Sequence, residues 1–201
     1  MKKLFILVDW WKDSISREKF KFPKTVSKVE KNIQLLMDRV LESSNSDWYV
    51  PTSSFFVDDK YTKHSLKTQP NSNDYDEFYV FGMSLGACVL VSTFGYCYWP
   101  EGKRFVIEDC SIQETFGPNG VVTDIYEYHK YLNNRGWNLD NSEKFHNQQV
   151  EKDIQMYSKK GAGCVHEYAF SKEPHRYSFE KESLYEPVKF KKLDDIFSTI
   201  K

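Results

Sequence analysis

The chain has 201 residues, of which 40% are hydrophobic and 28% charged, so it is long enough for one packed globular domain. Its 28 lysines and arginines nearly balance 29 aspartates and glutamates, which argues against nucleic acid or an acidic membrane as a partner. Every apolar run is too short to span a membrane.

The amino-terminal apolar run, Leu4–Val8, predicts a buried strand rather than a signal peptide. It ends at Asp9, and no small-residue cleavage site follows. We therefore expect a cytoplasmic protein. The cysteines are irregularly spaced and form no C-x-x-C pair, so we expect neither a disulfide framework nor a metal site. They are Cys88, Cys97, Cys110 and Cys164.

Further elements are predicted in chain order after this strand. A loop rich in lysine, arginine and serine reaches Pro23, and Thr25 then caps a helix to about Ser43, whose apolar residues recur every three or four positions. Strands are then predicted at Trp48–Val50, Phe78–Phe81 and Arg104–Glu108. A polar loop covers Thr52–Asp76, and a second helix runs from Leu85 to about Tyr96.

The carboxyl-terminal half of the chain gives a less regular pattern. We predict helices at Val122–Leu132 and Gln148–Ser158, and a strand followed by a helix within Tyr185–Lys201. Alternating strands and helices predict the α/β class. The expected fold is one three-layer domain over residues 1–201, with a mostly parallel central sheet and helices on both faces.

The most informative segment is Gly82-Met83-Ser84-Leu85-Gly86, a G-x-S-x-G pattern between an apolar strand and a helix. Two glycines permit a sharp turn there, which places Ser84 at the carboxyl end of its strand. Open α/β sheets bind ligands at that edge.

With its flanking strands, this segment resembles the nucleophile elbow of α/β-hydrolases, and no cofactor is then needed. The resemblance implies that Ser84 attacks the acyl carbonyl of an ester, thioester or amide, a small-molecule substrate. His166, after a glycine-rich turn, is our candidate base, and Asp140 our candidate acid. Asp124 and His175 are substitutes.

The oxyanion in this mechanism would be held by the backbone N–H of Leu85 and by one from the loop after the first strand, for which we choose Trp10. Related hydrolases carry a glycine-rich loop there. This chain instead has Asp9-Trp10-Trp11-Lys12-Asp13, and its first glycine is Gly82.

We favour the serine mechanism; as the alternative, the same residues also resemble isochorismatase-like cysteine hydrolases. The opening strand ending in Asp9 and the spacing from Gly82 to Cys88-Val89 match that family, as does Lys31-Asn32-Ile33. This resemblance implies that Cys88 is the nucleophile and Asp9 the base, with a lysine completing the site. The candidate lysines are Lys60, Lys63 and Lys67.

A third interpretation is a close-packed turn without chemistry, because a fold does not imply a function. The protein would then be a binding module that uses aromatic residues such as Trp10 and Trp11. The sequence identifies neither the substrate nor the oligomeric state.

Overall fold

A computed structural model describes residues 1–51, 57–90, 92–93, 103–113, 139–161 and 186–201. The strands there are β1 (Lys3–Val8), β2 (Ser46–Tyr49), β3 (Glu77–Met83), β4 (Arg104–Ile112) and β5 (Phe190–Lys191). The α-helices are α1 (Lys12–Lys21), α2 (Pro23–Leu41), α3 (Asp59–Thr62), α4 (Leu139–Lys160) and α5 (Leu193–Phe197). A 3₁₀ turn covers Ser72–Asp74, and a π-helical turn covers Leu85–Val89.

The strands form one sheet in the order β2-β1-β3-β4-β5, and every neighbouring pair is parallel. Alternate residues of the central strands face opposite sides. Phe5 and Leu7 join a core cluster with α1, α2 and α5, whereas Leu4 and Ile6 join a cluster with the π-helical turn and α4. Helices therefore cover both faces, which confirms the predicted α/β architecture.

The central strands are apolar throughout because both faces are covered. The side chains of Leu4, Phe5, Ile6 and Leu7 have no exposed surface. Burying each such side chain stabilises the fold by roughly 1.5–3 kcal/mol. This double burial explains why a continuous apolar run, rather than an alternating one, correctly predicted β1.

The prediction of a loop over Ser14–Pro23 was wrong, because helix α1 occupies most of that range. The face that α1 buries contains Ile15, Glu18 and Lys21. The Lys21 ammonium lies 2.9 Å from a Glu18 carboxylate oxygen, so these two buried charges pair with each other. A helix that buries paired charges shows little hydrophobic periodicity, and its pattern is therefore missed.

The helix predicted from Leu85 begins as a π-helical turn, and the predicted loop Thr52–Asp76 contains α3 and a 3₁₀ turn. The remaining predicted elements agree in type but differ at their ends. Helix α2 begins at Pro23 rather than after Thr25, since proline is well suited to a first helical turn. Strand β4 continues to Ile112, so Ser111, which we expected in a loop, lies within it. The predicted helix Gln148–Ser158 lies inside α4, and β5 and α5 confirm the strand-then-helix pattern. The predicted helix at 122–132 falls outside the described residues.

None of the helices in these described ranges combines the length and apolarity that crossing a membrane requires.

Candidate functional site

The carboxyl ends of β1 and β3 lie side by side, because Val8 is the register partner of Gly82. The chain leaves β1 towards α2 on one face of the sheet, and leaves β3 through the π-helical turn on the other. A crevice opens where successive connections diverge in this way, and open α/β sheets bind their ligands there. Asp9 and Ser84 are the first residues after these two strands.

Gly82 allows β3 to approach β1 closely at this crevice. Its φ is +125°, a conformation that residues with a side chain rarely adopt. A β-carbon there would lie 2.2 Å from the carbonyl oxygen of Val8, so no side chain fits. The first glycine of the G-x-S-x-G pattern therefore serves the contact between the two strands.

Asp9 provides a sharp turn in the glycine-free loop after β1. Its φ is +47°, in the left-handed region, which aspartate tolerates better than most residues. The backbone N–H of Trp11 donates to the carbonyl oxygen of Asp9 at 2.8 Å, which closes the turn, and the Trp10 side chain is buried. The departure from a glycine-rich loop is thus accommodated by Asp9 itself.

The Cys88 side chain lies close enough to Asp9 to interact with its carboxylate as a hydrogen-bond donor. Burial raises the pKa of Asp9 above its ordinary value of 3.8, and the hydrogen bond from Cys88 partly opposes that shift. A carboxylate with a raised pKa accepts a proton more readily than an exposed one. Cys88 is half-buried near the end of the π-helical turn.

The candidate lysines of this cysteine arrangement differ in their positions. Val57 forms an isolated antiparallel bridge with Trp11, which brings the start of α3 over the loop after β1. Lys60 consequently lines a cleft of about 170 Å³ together with Trp10, and its ammonium lies 4.6 Å from the ring centre of Tyr61. Lys63 and Lys67, which are exposed like Lys60, lie further along the chain.

Ser84 lies at the predicted edge of the sheet and is 3% exposed. The side-chain amide of Gln113 donates to its hydroxyl oxygen at 3.0 Å. Gln113 also accepts a 2.6 Å hydrogen bond from the backbone N–H of Gly86. A β-carbon on Gly86 would lie 2.8 Å from both the Gln113 oxygen and the Tyr157 hydroxyl, so the second glycine makes room for this amide.

No contact among the described residues joins Ser84 to its proposed acid or its proposed base. His166, His175 and Asp124 fall outside the described residues. Asp140 belongs to the first turn of α4, where only its backbone is described. The serine triad therefore stays a prediction. The two oxyanion candidates, Leu85 and Trp10, are buried in the segments that follow β3 and β1.

Of the downstream histidines, His146 is described and is held in a packed position. Its ring stacks on Phe22 with centroids 4.1 Å apart, and burial lowers its pKa to about 4. It lines a second cleft, of about 310 Å³, with Lys28, Asp109 and Gln113. His146 is therefore neutral near pH 7.

Sequence reasoning missed Gln113 as a residue of this site. It follows β4 directly, and residues at that position of a parallel sheet face the same edge as Asp9 and Ser84. The signal was present, but our predicted strand ended at Glu108, which displaced Gln113 into a loop.

Cys110 contrasts with Cys88. Its thiol is fully buried in β4, and burial raises its pKa well above the ordinary value, so it stays protonated and unreactive. Among the described side chains, no group of three or more histidine, cysteine or acidic residues is arranged to hold a metal ion.

Comparison with known proteins adds no relative: no protein-family model, curated protein or solved structure matches this chain.

Proposed function

We propose that the protein is a cysteine hydrolase of a small amide, ester or thioester, with Cys88 as nucleophile and Asp9 as base. The observation that carries this proposal is the interaction of the Cys88 side chain with the half-buried Asp9 carboxylate, whose pKa it influences. It joins a nucleophile to a base across the crevice between β1 and β3, where α/β sheets bind ligands. The resemblance to isochorismatase-like hydrolases points to the same two residues.

The reaction would proceed through a thioester. Asp9 takes the thiol proton as the Cys88 sulfur attacks the substrate carbonyl, and the carbon–sulfur bond forms. The protonated Asp9 then gives that proton to the departing amine or alcohol. Water, deprotonated by Asp9, attacks the thioester, and the proton returns to the sulfur as the acid leaves. Proton and water balance, so no redox partner is required.

Lys60 is our candidate for the cation that completes this site. It lines the cleft beside Trp10, next to the turn that carries Asp9. A lysine ammonium there would stabilise the negative charge that develops on the substrate oxygen.

Selective labelling tests the choice of nucleophile. Iodoacetamide should modify Cys88, as located by peptide mass spectrometry, faster than it modifies the buried Cys110. Hydrolysis of short p-nitrophenyl esters or small amides should vanish in Cys88→Ala and be reduced but not abolished in Ser84→Ala, which loses only the hydroxyl that Gln113 contacts. A matched control is Cys110→Ala, which should retain the activity of the native protein.

A serine hydrolase is the second candidate, favoured by the position of Ser84 directly after β3. In that case a fluorophosphonate should label Ser84, and Ser84→Ala should abolish both labelling and hydrolysis while Cys88→Ala retains them. If neither probe labels its residue and no ester or amide is hydrolysed, the protein is a binding module.

A further inference from the structure

Gln113 contacts both ends of the turn that leads to Cys88. Its amide nitrogen donates to the Ser84 hydroxyl oxygen at 3.0 Å, and its amide oxygen accepts from the Gly86 N–H at 2.6 Å. A single planar amide provides a donor and an acceptor in fixed relative positions. These two bonds set the distance between β4 and the turn at two points, so the turn can neither rotate nor slide along β4 without breaking one of them.

The backbone around Cys88 is fixed on both sides by this arrangement. Gly86 is held by Gln113 before Cys88, and the Val89 N–H donates to the Ser84 carbonyl oxygen at 3.1 Å after it. Each bond involves one residue of the Ser84–Gly86 turn, Gly86 in the first and Ser84 in the second. The position of that turn therefore determines the position of the Cys88 sulfur. The absence of a side chain at Gly86 is what admits the Gln113 amide.

We propose that Gln113 is a positioning residue that holds the Ser84–Gly86 turn where the Cys88 thiol meets Asp9. This inference rests on the proposed function, since it assigns Gln113 to the Cys88–Asp9 pair. In this role the Gln113 amide holds the turn in place and does not touch the substrate. A loosened turn would let the sulfur move away from the carboxylate, and small displacements of catalytic groups cost large factors in rate.

A double-mutant cycle on thiol reactivity tests this role without a known substrate. The rate constant for alkylation of Cys88 by iodoacetamide is measured from pH 5 to pH 10 in the native protein, Asp9→Asn, Gln113→Leu and the double variant. Replacing Asp9 changes the rate profile because it changes the partner of the thiol. We expect the fold-change caused by Asp9→Asn to shrink at least threefold once Gln113 is replaced.

Two further variants keep the test decisive. Gln113→Glu retains the acceptor for Gly86 and serves if Gln113→Leu does not fold, as judged by its near-ultraviolet circular dichroism. Gln149→Leu removes an exposed amide of α4 and should leave the effect of Asp9→Asn unchanged. A purely structural role for Gln113 would lower the unfolding temperature but leave the two substitutions additive.

The outcomes separate this inference from the proposed function. Additive effects of Asp9→Asn and Gln113→Leu on Cys88 alkylation would overturn the positioning role and leave the Cys88–Asp9 pair intact. If Asp9→Asn alone leaves the alkylation profile unchanged, Asp9 is not coupled to the thiol, and both the base role and the positioning role fail.

Discussion

The Cys88 side chain lies beside the Asp9 carboxylate and acts on its pKa, so the residue that follows the first strand interacts with the turn after the third. Burial raises the pKa of Asp9, and the interaction with Cys88 partly opposes that shift. The pair is therefore a source of pH dependence as well as of nucleophilicity, and this leads to the first prediction.

Asp9→Asn should lower hydrolytic turnover by about 10²–10⁴-fold, because the amide fills the same space but cannot take a proton. In the native protein, activity should fall as the pH drops through the pKa of Asp9, which burial raises above 3.8. Initial rates with a p-nitrophenyl ester from pH 4 to pH 8 check both points. An unchanged acid limb in Asp9→Asn would assign that limb to another group.

The same variant should be more stable than the native protein near neutral pH. The pKa of Asp9 is raised in the folded state. The ionised carboxylate therefore lowers the free energy of unfolding when the pH is above that pKa. The gain in Asp9→Asn should disappear as the pH falls below the unfolded value. Thermal unfolding at pH 7 and pH 3.5 measures the difference; a gain that persists at pH 3.5 contradicts this explanation.

Gly82→Ala should destabilise the protein by about 2–5 kcal/mol, since the added carbon meets the Val8 carbonyl oxygen and the φ of +125° is strained for alanine. Urea unfolding measures this loss. Gly161→Ala is the matched control: Gly161 also has a positive φ, of +69°, but follows a helix end, so a loss of only about 1–2 kcal/mol is expected. Equal losses would show that the contact with Val8 is unimportant.

His146 should make stability depend on pH between 5 and 7. Its folded-state pKa of about 4 lies below the ordinary value of 6.5, so the unfolded chain binds a proton in this range that the folded protein does not. Lowering the pH from 7 to 5 should therefore cost roughly 2 kcal/mol through this residue. His146→Phe should remove that component, measured as the difference in unfolding free energy at the two pH values. The exposed His64, replaced by glutamine, should leave it in place.

Glu143→Gln should destabilise the protein by about 1 kcal/mol. The Glu143 carboxylate accepts a 2.5 Å hydrogen bond from the Thr25 N–H, and so caps the start of α2 from α4. A neutral amide oxygen accepts that bond less strongly and no longer offers a charge to the helix dipole. Glu151→Gln, at an exposed position of α4, should change the unfolding free energy little. Similar losses in both variants would indicate a general charge effect.

The sequence predicted the sheet because its strands are buried on both faces and read as continuous apolar runs. It misplaced the end of β4 because Glu108 and Asp109 are polar, yet Asp109 is accommodated within the strand by accepting the N–H of Leu193 at 3.0 and 3.2 Å. Helix α1 was missed because its buried face contains the Glu18–Lys21 pair. Such compensation between polar groups cannot be seen in a hydrophobic pattern.

For the site, the sequence identified Asp9, Ser84 and Cys88 as candidates, since each follows a strand or a glycine turn. It favoured Ser84 over Cys88 as the nucleophile, but that choice depends on which side chain meets a base across the sheet. It also missed Gln113, whose two bonds join positions far apart in the chain. Contacts of this kind depend on register and not on local spacing.

The register of Val8 with Gly82 has a consequence for biosynthesis. Asp9 leaves the ribosome long before Cys88, and the two residues meet only after β3 has been inserted beside β1. Until then the thiol has no carboxylate partner and behaves as an ordinary cysteine. The Cys88–Asp9 pair of the proposed mechanism can thus form only when the centre of the sheet closes.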